Sequence, residues 1–416
     1  MKIAKQPRVF AKEADNASSK AIEAYQIIGT ASQRIYEDLS VSCTKHENHI
    51  AHVKLEVEDF CESQSCTIQI RFKLAFANAT RCLELRWFTI KTVMIEASKG
   101  QRLEMKQAID GLSDSLKRTL DDVDDGKTGK RKKSVRFESA AKTDTTVPST
   151  IPDLFTLQSR LHKDFCDFMR RCLSQPLQSD VCIARLANSE CCQNLVYPCL
   201  SSENCPPLEG VTLQALLKRK SGLLNISRAS FLERMRLARL LSEALLRYQG
   251  TSWVSLGWRS ENIVFFTQGL ESNRPPDISI PHLNTKVCRF AQDNMSTSSF
   301  EQYLLGPRNE NLFDLGILML EIAYATPWEI LQDSHKPRQD LGLPRSDFYQ
   351  ARRLAKSGCS GMGSDYDRIV RQLIECDFGC GEDLSQKRLQ AAIHRDVVCP
   401  LEKIERGLQE LQLGAP

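Results

Sequence analysis

The chain has 416 residues, 41% of them apolar and 26% charged, with a formal net charge of +4. This length allows two or three domains, and the composition excludes fibrous and low-complexity architectures. The longest apolar run, Leu312 to Ala325, is broken by Asp314 and Glu321 and is too short to cross a bilayer, so no membrane partner is expected. Sixteen cysteines raise the question of disulfides or zinc. The segment from Met1 to Arg8 lacks the apolar core of a signal peptide, so reduced thiols and a cytoplasmic or nuclear protein are expected. There is no Cys-x-x-Cys pair, and neither a metal nor any other cofactor is expected.

In chain order, Asn16 to Leu39 carries Ala21, Ala24, Ile27, Ile28, Ala31 and Ile35 at helical spacing, which predicts an amphipathic helix that packs on the following domain or on a partner. Cys43, His46, His49 and His52 recur at every third position. Zinc ligation is one reading of them, and a polar turn entering a strand is the preferred one, because no closed ligand set follows. Ala51, Val53, Leu55 and Val57 alternate with polar residues, as do Ile68, Ile70, Phe72, Leu74 and Phe76, and then Leu83, Leu85 and Trp87. Period two over three runs predicts a small antiparallel sheet with one buried face. Lys73 falls on the opposite face from Phe72 and Leu74.

From Asp110 to Thr150 large apolar residues are sparse, which predicts a disordered linker. Within it Lys130, Arg131, Lys132 and Lys133 form a cation run that fits a nuclear-import signal or a solvated stretch equally well. Lys133-Ser134-Val135-Arg136-Phe137 resembles the short docking motif for protein phosphatase 1, in which Val135 and Phe137 would fill apolar pockets. Arg131 also makes Ser134 a candidate for phosphorylation, and the added charge would oppose either interaction. A single basic cluster without interleaved aromatics gives no reason to expect nucleic-acid binding.

Beyond the linker, Ile151 to Cys172 predicts a helix, Val181 to Leu186 and Asn194 to Leu200 short strands, and Val211 to Lys220 and Ser230 to Tyr248 helices. Ser230 with Glu233 forms a capping-box pattern. A polar insertion, Gln268 to His282, precedes Lys286-Val287-Cys288. Later helices are predicted at Phe348 to Lys356, Asp365 to Glu375 and Leu384 to Val398, and a last one from Leu401 to Leu411 docks on its own domain.

Three segments between Trp253 and Trp328 fall in a telling order. Asn262 precedes the strand-like Ile263 to Phe266, with Gly257 five residues before it. Arg289-Phe290-Ala291 follows Lys286 to Cys288, and Asn311 stands five residues before Gly316 in the apolar run. This series resembles the catalytic loop, metal loop and central helix of the protein kinase fold, in which an Asp accepts the substrate proton, an Asn and a second Asp hold magnesium, and a third Asp precedes the helix glycine. The resemblance implies that Gly257, Arg289 and Asn311 replace the three acids and that only Asn262 is kept. The triplets Asp377-Phe378-Gly379 and His394-Arg395-Asp396 are decoys, because their order is inverted.

The closer resemblance is to a kinase-like domain of unknown function widespread in filamentous fungi. It is carried by Leu240 to Tyr248 with Gly250 to Trp253, by Trp258 with Glu261 to Ile263, by Asn311 to Ile317, by Cys376 to Gly379 with Asp383 and Leu384, and by Val397 and Val398 with Pro400 to Glu402. Relatives are linked to prion-inhibition and HeLo-type helical domains. The resemblance implies an α+β, degenerate kinase-like bilobal fold, with a small antiparallel β N-lobe and a mainly helical C-lobe. The expected divisions are an N-terminal helical segment at 1–42, the β-rich part of the N-lobe at 43–107, the linker at 108–150, the rest of the N-lobe at 151–210, and the C-lobe at 211–416. The expected function is a catalytically inactive interaction or scaffold module with an unidentified protein partner. The alternative is an atypical phosphotransferase that recruits its metal through Asp293 or Glu261.

Overall fold

Alternating patterns become strands in the computed structural model, which describes residues 7–42, 48–62, 67–78, 86–95, 165, 182–189, 192–199, 210–218, 229–254, 257–266, 277–288, 306–334, 347–359 and 361–413. The strands are β1 (Asn48–Lys54), β2 (Asp59–Glu62), β3 (Thr67–Asn78), β4 (Arg86–Ile95), β5 (Ala184–Ser189), β6 (Cys192–Pro198), β7 (Gly210–Thr212), β8 (Ile263–Phe266) and β9 (His282–Cys288). They form one antiparallel sheet in the order β5-β6-β4-β3-β1-β9-β8-β7, and β2 pairs with β3 beyond the end of β1. The helices are α1 (Pro7–Val41), α2 (Leu213–Lys218), α3 (Phe231–Tyr248), α4 (Glu310–Tyr324), α5 (Trp328–Ser334), α6 (Asp347–Ser357), α7 (Ser364–Glu375), α8 (Lys387–Ile393) and α9 (Cys399–Leu413), with a π turn at His394–Val398 between the last two. The protein is therefore an α+β molecule. No helix among the described residues is long and apolar enough to cross a membrane.

The sheet does not stop at residue 211, the expected start of a helical lobe. β1 pairs with β3 on one side and along its whole length with β9 on the other, so strands from both halves of the chain share one hydrogen-bond ladder. Val211 and Thr212, expected in a helix, instead pair with Phe265 and Val264. Their β-branched side chains suit a strand. The 108–150 linker, with Lys130 to Phe137, lies outside the described residues, as do Asp293, Cys43 and His46.

One face of the sheet carries Val53, Phe72, Leu74, Ile90, Phe265 and Val287 into the main core. That core is completed by Ile28, Ala31, Ile35 and Leu39 of α1, so the N-terminal helix packs as part of the same body and not as an appendage. His49 and His52 are three residues apart in a strand and so face opposite sides. His49 stacks on Phe76 at 4.7 Å, while His52 meets Phe266 edge-on at 5.2 Å.

The opposite face holds a second cluster, built on Ala75, Trp87, Val264 and Phe266. The small Ala75 side chain lets Trp87 reach His282, whose ring lies 5.1 Å away, and Lys73 sits 6.0 Å from the Trp87 ring. Burial depresses His52 to about 4 and His282 to about 3, and for His282 the nearby His52, Lys54 and Lys73 add to the effect. Unfolded imidazoles bind protons near pH 6.5, so below that pH the unfolded chain takes up protons that the folded one refuses, and stability drains away toward pH 3. We expect His52→Leu with His282→Leu to gain stability relative to the parent chain progressively as the pH falls from 6.5 to 4, measured by urea unfolding at each pH. A difference that stays constant across this range would mean that these rings do not titrate in the fold.

In the helical layer, Ser230 and Glu233 form the expected capping box: Glu233 N–H donates to Ser230 Oγ at 3.1 Å and Ser230 N–H to Glu233 Oε2 at 2.7 Å. The helix expected from Leu384 begins instead at Lys387, because Asp383 holds Ser385 N–H in a turn at 2.9 Å. It then widens into the π turn directly before Pro400. Proline has no N–H for the carbonyl four residues back, and its ring crowds that carbonyl, so the wider turn removes the conflict. The Asp377 to Gly379 triplet is a loop after α7, and His394 to Asp396 belongs to the π turn.

α4 is buried on all sides from Leu312 to Ala323, as an apolar helix must be. Gly316 is its point of closest approach to α7. A Cβ there would lie 2.7 Å from Ile374 Cγ1 and 3.4 Å from Ile374 N. We expect Gly316→Ala to destabilise the protein by roughly 1–3 kcal/mol through overpacking, with partial recovery when it is combined with Ile374→Val, both read from urea midpoints.

Candidate functional site

The two acids that interrupt the apolar run, Asp314 and Glu321, are seven residues apart, which is two helical turns and the same face of α4. That face meets the loop leading into β8. The Asp314 carboxylate accepts the Gly257 N–H on Oδ2 at 3.0 Å and pairs through Oδ1 with Arg259 Nη2 at 2.8 Å. The Arg259 guanidinium also lies 5.7 Å from the Phe313 ring. Two turns on, Glu321 Oε1 accepts both the Ser260 hydroxyl at 3.0 Å and the Trp328 N–H at 2.8 Å. One helix thus holds the loop at two points and fixes the start of α5.

Asn262 closes the loop. Its Oδ1 accepts Arg259 N–H at 2.8 Å, its own N–H donates to Arg259 O at 2.9 Å, and its carbonyl accepts Asn284 N–H at 2.7 Å where the chain enters β8. The Ser260 carbonyl takes Gln214 N–H of α2 at 3.1 Å. The Trp253 indole N–H donates to Ser32 O of α1 at 2.7 Å. The loop is therefore tied to three helices and the sheet.

Burial raises Asp314 to about 6, outweighing the opposite pull of Arg259 and the Gly257 N–H. It raises Glu321 to about 7 against the bonds from Trp328 and Ser260. The second Glu321 oxygen is buried without a hydrogen-bond partner, which is a cost the neutral acid reduces. As the pH falls from 7 toward the unfolded carboxylate range near 4, these two groups take up protons in the folded state first and add stability, opposite in sign to the buried imidazoles. Ser260 and Glu321 are each 2% exposed, so their hydroxyl–carboxylate pair braces the loop and does not face a substrate.

Of the residues singled out by sequence, Gly257 lies on the loop at φ +79, with nothing within 4 Å of where a Cβ would stand. Asn262 lies in the same loop, and Asn311 in the first turn of α4. The acid that holds the loop is Asp314, one turn beyond Asn311. Arg289 lies outside the described residues. Sequence reasoning missed Asp314, Arg259, Ser260 and Glu321 as a set. The available signal was the pair of charges at helical spacing inside an apolar run, which had been read only as an interruption. Among the described residues no three His, Cys, Asp or Glu side chains converge as metal ligands.

The model of a family described as a domain of unknown function, DUF7580, matches residues 19–405. No curated protein matches the chain.

Proposed function

The chain belongs to the DUF7580 family of domains of unknown function, and from that footing we propose that it is a catalytically inactive, kinase-like interaction or scaffold module. The observation that carries this is the anchored loop: the position that would supply the proton-accepting acid is Gly257, and its backbone, not a side chain, is what Asp314 holds. Phosphoryl transfer depends on charges placed around the reacting phosphate, so a loop without its acid forfeits many powers of ten in rate. Asp314 and Glu321 are committed to bracing the loop and are buried, which keeps both from replacing that acid. In this reading the strands at 48–95 descend from a small lobe and α3 to α9 from a large one. The kinase-derived, bilobal description and the fungal setting rest on the sequence resemblance.

The output is then partner binding, in the cytoplasm or nucleus. Lys133 to Phe137 is the segment we assign to phosphatase docking: the full chain should capture purified protein phosphatase 1, and Val135→Ala with Phe137→Ala should abolish capture. Equal capture by both chains would remove that assignment. For the inactive state, incubation with γ-labelled ATP, magnesium or manganese and a general protein acceptor should give no transfer, and Gly257→Asp with Arg289→Asp should restore magnesium-nucleotide binding. Transfer by the unaltered chain that is lost in Asp293→Asn or Glu261→Gln would establish the alternative, an atypical phosphotransferase.

A further inference from the structure

Between α1, the loop and β9 lies a cavity of about 320 Å³, at the lower end of the size range of small-molecule sites. Flat walls come from Tyr36, Trp253 and Trp258, with Leu283 beside them. The hydrogen-bond inventory of the remaining lining is lopsided. Its acceptors are occupied: the Tyr36 hydroxyl donates to the Lys286 carbonyl at 3.1 Å, the Thr285 hydroxyl to the Trp253 carbonyl at 2.7 Å, and Asn262 Oδ1 already takes the Arg259 N–H. Its donors are not. The Trp258 indole N–H is buried without a partner in a side chain that is 1% exposed. Asn262 Nδ2, the Asn284 amide and Lys286 Nζ have no hydrogen bond or ion pair among the described residues, and no carboxylate lines the cavity.

A site with aromatic walls, spare donors and one cation selects a flat ligand with one negative charge. We infer that this cavity binds a small aromatic carboxylate, its ring against the tryptophan and tyrosine walls and its carboxylate toward Lys286 and the asparagine amides. One cation and neutral amides match the single charge of a carboxylate, whereas a phosphate dianion would leave charge unanswered. Lys286 is exposed at the mouth, where a charged head group keeps contact with water while the ring is buried. The site stands whether or not the fold descends from a kinase.

The test uses the full chain with benzoate, benzamide and benzylamine, followed by saturation-transfer NMR and isothermal titration. Benzoate should bind, benzamide about tenfold more weakly, the strength of one charge-assisted contact, and benzylamine not at all. Lys286→Met keeps the stem of an exposed residue, so its melting temperature should be unchanged while the preference for benzoate over benzamide disappears. Absence of saturation transfer to benzoate at millimolar concentration, or an undiminished benzoate preference in a folded Lys286→Met chain, overturns the inference.

Discussion

Replacing Asp314 with alanine should cost the folded state about 3 kcal/mol, near the lower end of what removing one partner of a buried ion pair costs. The Asp314 side chain is 4% exposed, and its loss strands both the Gly257 N–H and the Arg259 charge. Arg259 is 28% exposed and reaches water, which holds the cost down. Asp314→Asn keeps an acceptor for Gly257 and should fall between the parent and the alanine variant. Because burial holds Asp314 above the usual carboxylate range, the parent should gain on Asp314→Asn as the pH falls from about 6 toward 4. Urea unfolding reads both effects. An alanine variant within 0.5 kcal/mol of the parent, about the scatter of an uninvolved surface position, would mean that α4 does not hold the loop through this carboxylate.

Glu243→Ala should be at least as damaging, at about 3–5 kcal/mol. On α3, Glu243 lies one turn from both Arg239 and Arg247 and pairs with each. Arg239 continues to Glu405 of α9, and Arg247 donates to the Leu55 carbonyl after β1 and lies 5.2 Å from the Tyr25 ring of α1. All four ionic side chains are at most 15% exposed, so removing the central anion leaves two cations facing each other out of water. The expected signature is a large drop in urea midpoint together with earlier proteolysis within α9. Restoration of most of the loss by adding Arg239→Met would identify the stranded charge, and not lost packing, as the cause.

How much of this was legible in the sequence depends on which periodicity survives in each element. β1 and β3 alternate cleanly because one face meets the main core, and α3 announces itself through Ser230 and Glu233. β9 was legible only at its end: His282, Asn284 and Thr285 are polar, yet they sit within a sheet whose second face packs imidazoles and aromatics. β7 was hidden because a three-residue strand gives too short a pattern, and only its pairing with β8 decides its conformation. The joining of both halves through β1 and β9 is a long-range pairing that no local pattern encodes. Within the candidate site, Gly257 and Asn262 could be found by their spacing. The two acids of α4 could not be assigned until the helix was seen to turn them toward the loop. The π turn follows from Pro400, a local cue that periodicity alone passes over.

The most direct measurement is a thermal unfolding series of the full chain with ATP, ADP and GTP, each with and without magnesium or manganese. A ligand at a hundred times its dissociation constant stabilises a folded protein by about 2.7 kcal/mol, which is readily seen as a shift in melting temperature. An anchored loop without its acid predicts no metal-dependent shift for any nucleotide. A shift that appears with magnesium and vanishes when it is chelated would contradict the account, because it would require a working metal–phosphate site where Gly257 stands.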